Sequence, residues 1–157
     1  DARPATAVVF SPWVDLAMGS ASLQTNAAAD PVLPVSRLRD VVGYVTGDGP
    51  GALAPNDPRI SPVYAAFDAP PPVLIQVGTT EILRDDAMRL AARLRQGGGR
   101  VDLSQWPEAP HLLQMFDGYL PEARDALTEV ARFIVATRDA RATAVPGERV
   151  QGEASRT

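Results

Sequence analysis

The sequence predicts an α/β protein with about three parallel strands and flanking helices, forming an incomplete sheet. Two observations carry this. Short apolar runs alternate with longer segments of helical periodicity, and strands alternating with helices of that length imply parallel βαβ units. A doubly wound sheet normally has about five or more strands, so about three would leave the first strand with an uncovered edge. We therefore read residues 1–138 as the back part of one larger domain and residues 139–157 as a disordered tail.

Each element follows from local chemistry. Ala7-Val8-Val9-Phe10 is a short apolar run closed by Ser11-Pro12, which reads as a buried strand. Asp15 to Pro34 is irregular and Ala-rich, and Asp30-Pro31 signals a turn because the residue before proline is pushed out of the helical region. Ser36 is placed to cap a helix running to Thr46, with Leu38, Val41, Val42 and Val45 at helical spacing. Glycine and proline crowd the stretch from Gly47 to Pro62, which reads as a long loop.

The pattern sharpens after Pro70-Pro71-Pro72. Val73-Leu74-Ile75-Gln76-Val77 is a near-continuous apolar run, as expected of a strand covered on both faces. Asp85 to Gln96 is an amphipathic helix with Ala87, Leu90, Ala91 and Leu94 on its apolar face, and Gly97 to Gly99 stop it. Val101 to Trp106 alternates as a strand does. Pro121 opens a last helix to about Thr137, with Ala123, Leu127, Val130, Ala131, Ile134 and Val135 expected to face inward. Trp13, Trp106 and Phe116 are most simply core aromatics.

Composition removes several function classes. The 157 residues leave room for one core, and the 15 basic residues, all Arg, against 19 acidic ones give a net charge of −4. An acidic chain without a basic stripe lacks the footprint for nucleic acid, and no apolar run is long enough to span a membrane. Absence of Cys removes disulfides, thiolate nucleophiles and Cys-type zinc sites, and the single histidine, His111, excludes a two-histidine metal cage. Without a disulfide framework or a signal-like start, the chain is compatible with the cytoplasm. It begins with Asp1 rather than Met, so we expect it to be processed, excised or incomplete at its front.

Open parallel sheets gather functional groups at the carboxyl ends of their strands. Two segments qualify: Gly78 to Asp86 after one strand and Pro107 to His111 after the next. Adjacent parallel strands would bring a carboxylate beside the only imidazole, which is two-thirds of a nucleophile–histidine–acid triad. The plain alternatives stand beside this. A lone loop histidine is also an ordinary surface or capping residue, and Glu81, Asp85 and Asp86 would favour a helix start in any case.

From Ala7 to about Ala136 the chain resembles the C-terminal half of an α/β-hydrolase of the hormone-sensitive-lipase-like (bacterial family IV) carboxylesterase family. The resemblance rests on Ser11-Pro12-Trp13-Val14-Asp15-Leu16 after a strand, Asp57-Pro58-Arg59-Ile60-Ser61-Pro62, the segment Gly78 to Asp86, and Pro110-His111 before an aromatic-bearing helix. That family carries an Asp-Pro-Leu-x-Asp motif whose first acid orients the catalytic histidine. Glu81-Ile82-Leu83-Arg84-Asp85 matches it, with Glu for Asp and Ile for Pro, and His111 is followed by Leu rather than a small residue. The resemblance implies catalytic roles for Glu81 and His111, with Asp85 as the competing acid.

The family's G-x-S-x-G nucleophile elbow and its HGGG-type oxyanion segment do not occur in this sequence. Met18-Gly19-Ser20-Ala21-Ser22 lacks the second glycine of an elbow. The implied protein is a serine carboxylic ester hydrolase for small uncharged carboxylic esters, with no metal or organic cofactor implied. In it this chain supplies acid and histidine, and its partner is the N-terminal half of the same fold. The alternatives are a non-catalytic ligand-binding module on the same fold and an inactive fragment. The oligomeric state is left open.

Overall fold

A computed structural model describes residues 4–144. Its elements in chain order are strand β1 (Ala7–Phe10), helix α1 (Ser22–Thr25), helix α2 (Val35–Thr46), a 3₁₀ turn (Pro62–Tyr64), strand β2 (Val73–Gly78), helix α3 (Arg84–Gln96), strand β3 (Val101–Trp106), a second 3₁₀ turn (Leu113–Phe116) and helix α4 (Pro121–Ala144). The three strands form one sheet in the order β1-β2-β3. Both pairings are parallel, with Phe10 opposite Gln76 and Gly78 opposite Trp106. All three strands therefore deliver their carboxyl ends to one edge. Among the described residues β1 is half-buried throughout and pairs on one side only, whereas β2 is buried along its whole length.

The two faces of β2 are chemically different. Val73, Ile75 and Val77 pack with Ala87, Leu90, Ala91 and Leu94 of α3, a seam that also takes in Val14, Val63 and Val101. Each fully buried aliphatic side chain of this kind contributes about 1.5–3 kcal/mol. On the opposite face Gln76 is fully buried. Its Nε2 donates to the Ala126 carbonyl of α4 at 3.0 Å and to Glu129 at 2.6 Å, and its Oε1 accepts from Gln114 at 2.7 Å. A buried amide must find such partners, and here they fix how α4 lies on the sheet.

That anchoring changes the expected face of α4. Ala123, Ala126, Phe133 and Thr137 are buried, whereas Ile134 and Val135 are exposed. Small alanines let the helix approach Gln76. The helix also runs to Ala144, so residues 139–144 of the expected disordered tail are helical, and the rest of that segment lies outside the described residues.

Three further expectations are corrected. Pro34, with extended backbone angles, takes the position before α2, and Ser36 falls inside the first turn, where it caps nothing. Of the apolar row on α2 only Leu38 is buried, and Val41 and Val45 are exposed. Trp13 and Trp106 pack against core clusters, but Phe116 lies at the surface. The glycine stop after α3 is as expected: a Cβ on Gly97 would lie 2.4 Å from the Phe67 carbonyl oxygen, and Gly98 has φ +82°. Among the described residues no helix is long and apolar enough to cross a membrane.

Candidate active site

The parallel register places three loops side by side: Ser11 beyond β1, Thr79 to Glu81 beyond β2, and Pro107 to Leu112 beyond β3. The last two are laced together. Thr79 N–H donates to the Trp106 carbonyl at 2.9 Å, Glu108 N–H to Thr79 Oγ1 at 3.0 Å, and Thr80 Oγ1 to the Ala109 carbonyl at 3.3 Å. Gly78 permits this approach. A Cβ there would lie 2.1 Å from the Ala109 carbonyl oxygen, which no side chain tolerates without moving the loop.

The turn after Gly78 folds Glu81 back over the sheet edge, where it is 1% exposed. Its Oε1 accepts from Gly78 N–H at 2.5 Å and from Ser11 Oγ at 2.8 Å. Its Oε2 lies 2.9 Å from Nδ1 of His111. A carboxylate only accepts, so Nδ1 carries the shared proton, which in the neutral ring leaves the lone pair on Nε2. The His111 side chain is 16% exposed, and among the described residues no hydrogen bond uses its Nε2. The imidazole is thus oriented by a buried acid through one nitrogen and left basic at the other.

The segment 15–30, irregular in sequence, is the scaffold for the acid loop. Asn26 Nδ2 donates to the carbonyls of Thr79 and Glu81 at 3.0 and 2.8 Å, and Asp30 Oδ2 accepts from Ile82 N–H at 2.9 Å. Asp85 belongs to this scaffold. It accepts from Ser22 N–H at 2.9 Å and pairs with Arg84, also at 2.9 Å. Its own N–H donates back to Ser22 Oγ at 3.1 Å. The structure therefore brings Glu81 and His111 together and directs Asp85 elsewhere.

A second buried acid, Asp86, accepts from the amides of Val14 and Asp15 at 2.9 and 3.0 Å and makes a short hydrogen bond from Ser20 Oγ. Burial pushes its pKa above the ordinary carboxylate value of 3.8; the bonds from Ser20 and Val14 oppose this, and the negative charge of Asp15 adds to it. Asp15 moves the opposite way. Burial would raise it, but the hydrogen bonds from Arg89, Gly19 and Tyr64 together hold it below the ordinary value. Arg89 reaches it at 2.5 Å. These groups, with Ser61 Oγ accepting Leu16 N–H at 2.8 Å, fix the loop that follows Ser11.

The sequence marks Ser11 as the end of a strand and as part of the segment 11–16 that carries the resemblance, but gives it no role at the site, and it does not reveal Asp15, Ser20 and Arg89 as a network. The available signal for Ser11 was topological, since a residue ending a strand paired with β2 must lie beside the acid loop. Among the described residues no three His, Cys, Asp or Glu side chains gather as a metal ion would require.

A family profile described as alpha/beta hydrolase fold matches residues 1–115. An esterase of Acinetobacter venetianus is 35% identical over 131 residues, covering 83% of this chain and 42% of the relative. An acetyl-hydrolase of Streptomyces hygroscopicus is 36% identical over 132 residues, again 83% of this chain and 42% of the relative. Among solved structures, an esterase from the bacterial hormone-sensitive lipase family superposes with a TM-score of 0.75 at 36% identity, covering 87% of this chain and 43% of that one. A hormone-sensitive lipase from a metagenome library gives a TM-score of 0.79 at 34% identity, covering 86% and 45%. The chain thus spans less than half the length of the relatives it matches.

Proposed function

Since this chain belongs to the α/β-hydrolase fold family, we propose that it supplies the acid and the general base of a serine-type carboxylic ester hydrolase. The observation that carries this reading is the 2.9 Å contact between His111 Nδ1 and the buried Glu81. It is supported by the likeness to bacterial hormone-sensitive-lipase esterases. The nucleophilic serine and the oxyanion donors come from a segment of the same fold that seats along the free edge of β1. Residues 1–138 act as one portion of that single domain.

In the proposed cycle the serine oxygen bonds to the ester carbonyl carbon while His111 Nε2 takes the hydroxyl proton. Glu81 stabilises the imidazolium that forms. Collapse of the tetrahedral intermediate breaks the bond to the alcohol, which leaves with that proton. Water then attacks the acyl-serine with His111 again as base, releasing the carboxylic acid and restoring the serine. The substrates are small to medium uncharged carboxylic esters, and the chemistry needs no metal or organic cofactor.

The test is complementation. This chain is joined behind the part of the Acinetobacter venetianus esterase that it does not match, and the product is assayed on p-nitrophenyl butyrate. The expected result is saturable turnover that a serine-directed organophosphate abolishes, with none above a matched blank from the chain alone. Organophosphate-sensitive turnover by the chain alone would contradict the assignment, as would a folded but inactive complemented chain.

A further inference from the structure

We propose that Ser11 is a positioning residue for this reaction, its hydroxyl clamping the acid and the histidine loop to each other; the proposal rests on the catalytic reading of Glu81 and His111. Ser11 is 5% exposed. Its Oγ donates to Glu81 Oε1 at 2.8 Å and accepts from the Leu112 amide at 3.1 Å. One hydroxyl can do both, which neither a carboxylate nor an amide N–H can. Through a single atom, Ser11 links the carboxyl ends of all three strands.

The bond pattern gives the clamp a defined task. With Gly78 N–H and Ser11 Oγ both on Oε1, only Oε2 of Glu81 remains for His111. The carboxylate cannot rotate without breaking two hydrogen bonds. This matters more for Glu than for Asp, because the extra methylene adds a torsion that must be held. The Leu112 bond fixes the backbone next to the imidazole.

Backbone strain points to the same place. Among the described residues, five other than glycine have positive φ, and three of them, Ser11 at +42°, Glu108 at +51° and Leu112 at +55°, lie on these loops. Such angles persist only where surrounding contacts over-determine them, and they concentrate at functional sites. Glycine would suit φ +42° better than serine, but glycine has no hydroxyl to bridge Glu81 and Leu112.

Comparison of Ser11→Ala with Ser11→Gly separates hydroxyl from backbone. In the complemented chain both variants should lower kcat about 10- to 100-fold, the loss expected when a catalytic group is misplaced by about an ångström. KM should change less than about twofold, because Ser11 acts through Glu81 and not on the ester. The glycine variant should melt at or above the alanine variant. In the chain itself, the low-field Nδ1–H proton resonance of His111 should broaden in both. Unchanged kcat and an unchanged resonance would overturn the proposal. So would recovery of kcat by Gly but not Ala, which would assign the effect to backbone strain. If Glu81→Gln is inactive while the Ser11 variants keep full activity, the clamp alone fails; if Glu81→Gln is fully active, the catalytic reading falls and takes the clamp with it.

Discussion

Glu81→Gln in the complemented chain is expected to lower kcat by about 10⁴ with little change in melting temperature. The amide oxygen of Gln can take over the hydrogen bonds from Gly78 N–H and Ser11 Oγ, so the buried site stays satisfied. The amide nitrogen then faces His111 Nδ1, where the carboxylate oxygen stood at 2.9 Å. Two donors cannot share a hydrogen bond, so Nδ1 must become the acceptor and the ring proton moves to Nε2. A protonated Nε2 cannot take a proton from the serine. The loss is therefore one of tautomer, not of fold. Asp85→Asn should do the reverse, leaving kcat near wild type and lowering the melting temperature, because Asp85 holds Ser22 and Arg84 and does not reach the histidine. Steady-state kinetics and thermal melts of the two variants check both halves. An inactive Asp85→Asn beside an active Glu81→Gln would reverse the assignment.

Asp86→Ala is expected to be the most destabilising single substitution considered, by roughly 3–5 kcal/mol. It leaves the buried amides of Val14 and Asp15 and the hydroxyl of Ser20 without their acceptor. Asp86→Asn keeps an oxygen for the two amides and should lose far less. The pair also gives a pH signature. Because burial raises the pKa of Asp86 in the folded chain, folding favours its neutral form. The stability associated with that form is fully present below the unfolded value of 3.8 and is lost as pH rises through the folded value. The melting temperature of Asp86→Asn should therefore gain on wild type as pH rises from the acid range toward neutrality. Denaturation of the three proteins across that range tests this. A difference that stays flat, or an Asp86→Asn variant that falls further behind wild type toward neutral pH, would show that the folded state does not disfavour the charged form.

What could be read from the sequence follows from where each interaction is encoded. β2, α3 and β3 were legible because their hydrophobic periods are local and uninterrupted. Glu81 and His111 were legible because parallel strands must end at one edge, and because the segment 81–85 resembles a family motif. The orientation of α4 was not legible: it turns on Gln76, whose partners Ala126 and Glu129 are 50 and 53 residues away. Ser11 was hidden for the same reason, as its bonds to Glu81 and Leu112 span 70 and 101 residues. Ser36 misled because cap propensity cannot tell which of two neighbouring residues opens a helix when a proline stands between the turn and the first helical residue. Asp15 and Asp86 differ in titration because burial prevails at Asp86 while hydrogen bonds from Arg89 and others outweigh it at Asp15, and no local pattern associates these groups.

The most direct measurement is the nitrogen NMR spectrum of the imidazole, unambiguous because His111 is the only histidine in the chain. The neutral ring is expected to carry its proton on Nδ1 and its lone pair on Nε2, and Glu81→Gln is expected to exchange the two. A wild-type ring protonated on Nε2, or a spectrum indifferent to the Glu81 substitution, would contradict the assignment of Glu81 and His111 as an acid–base pair.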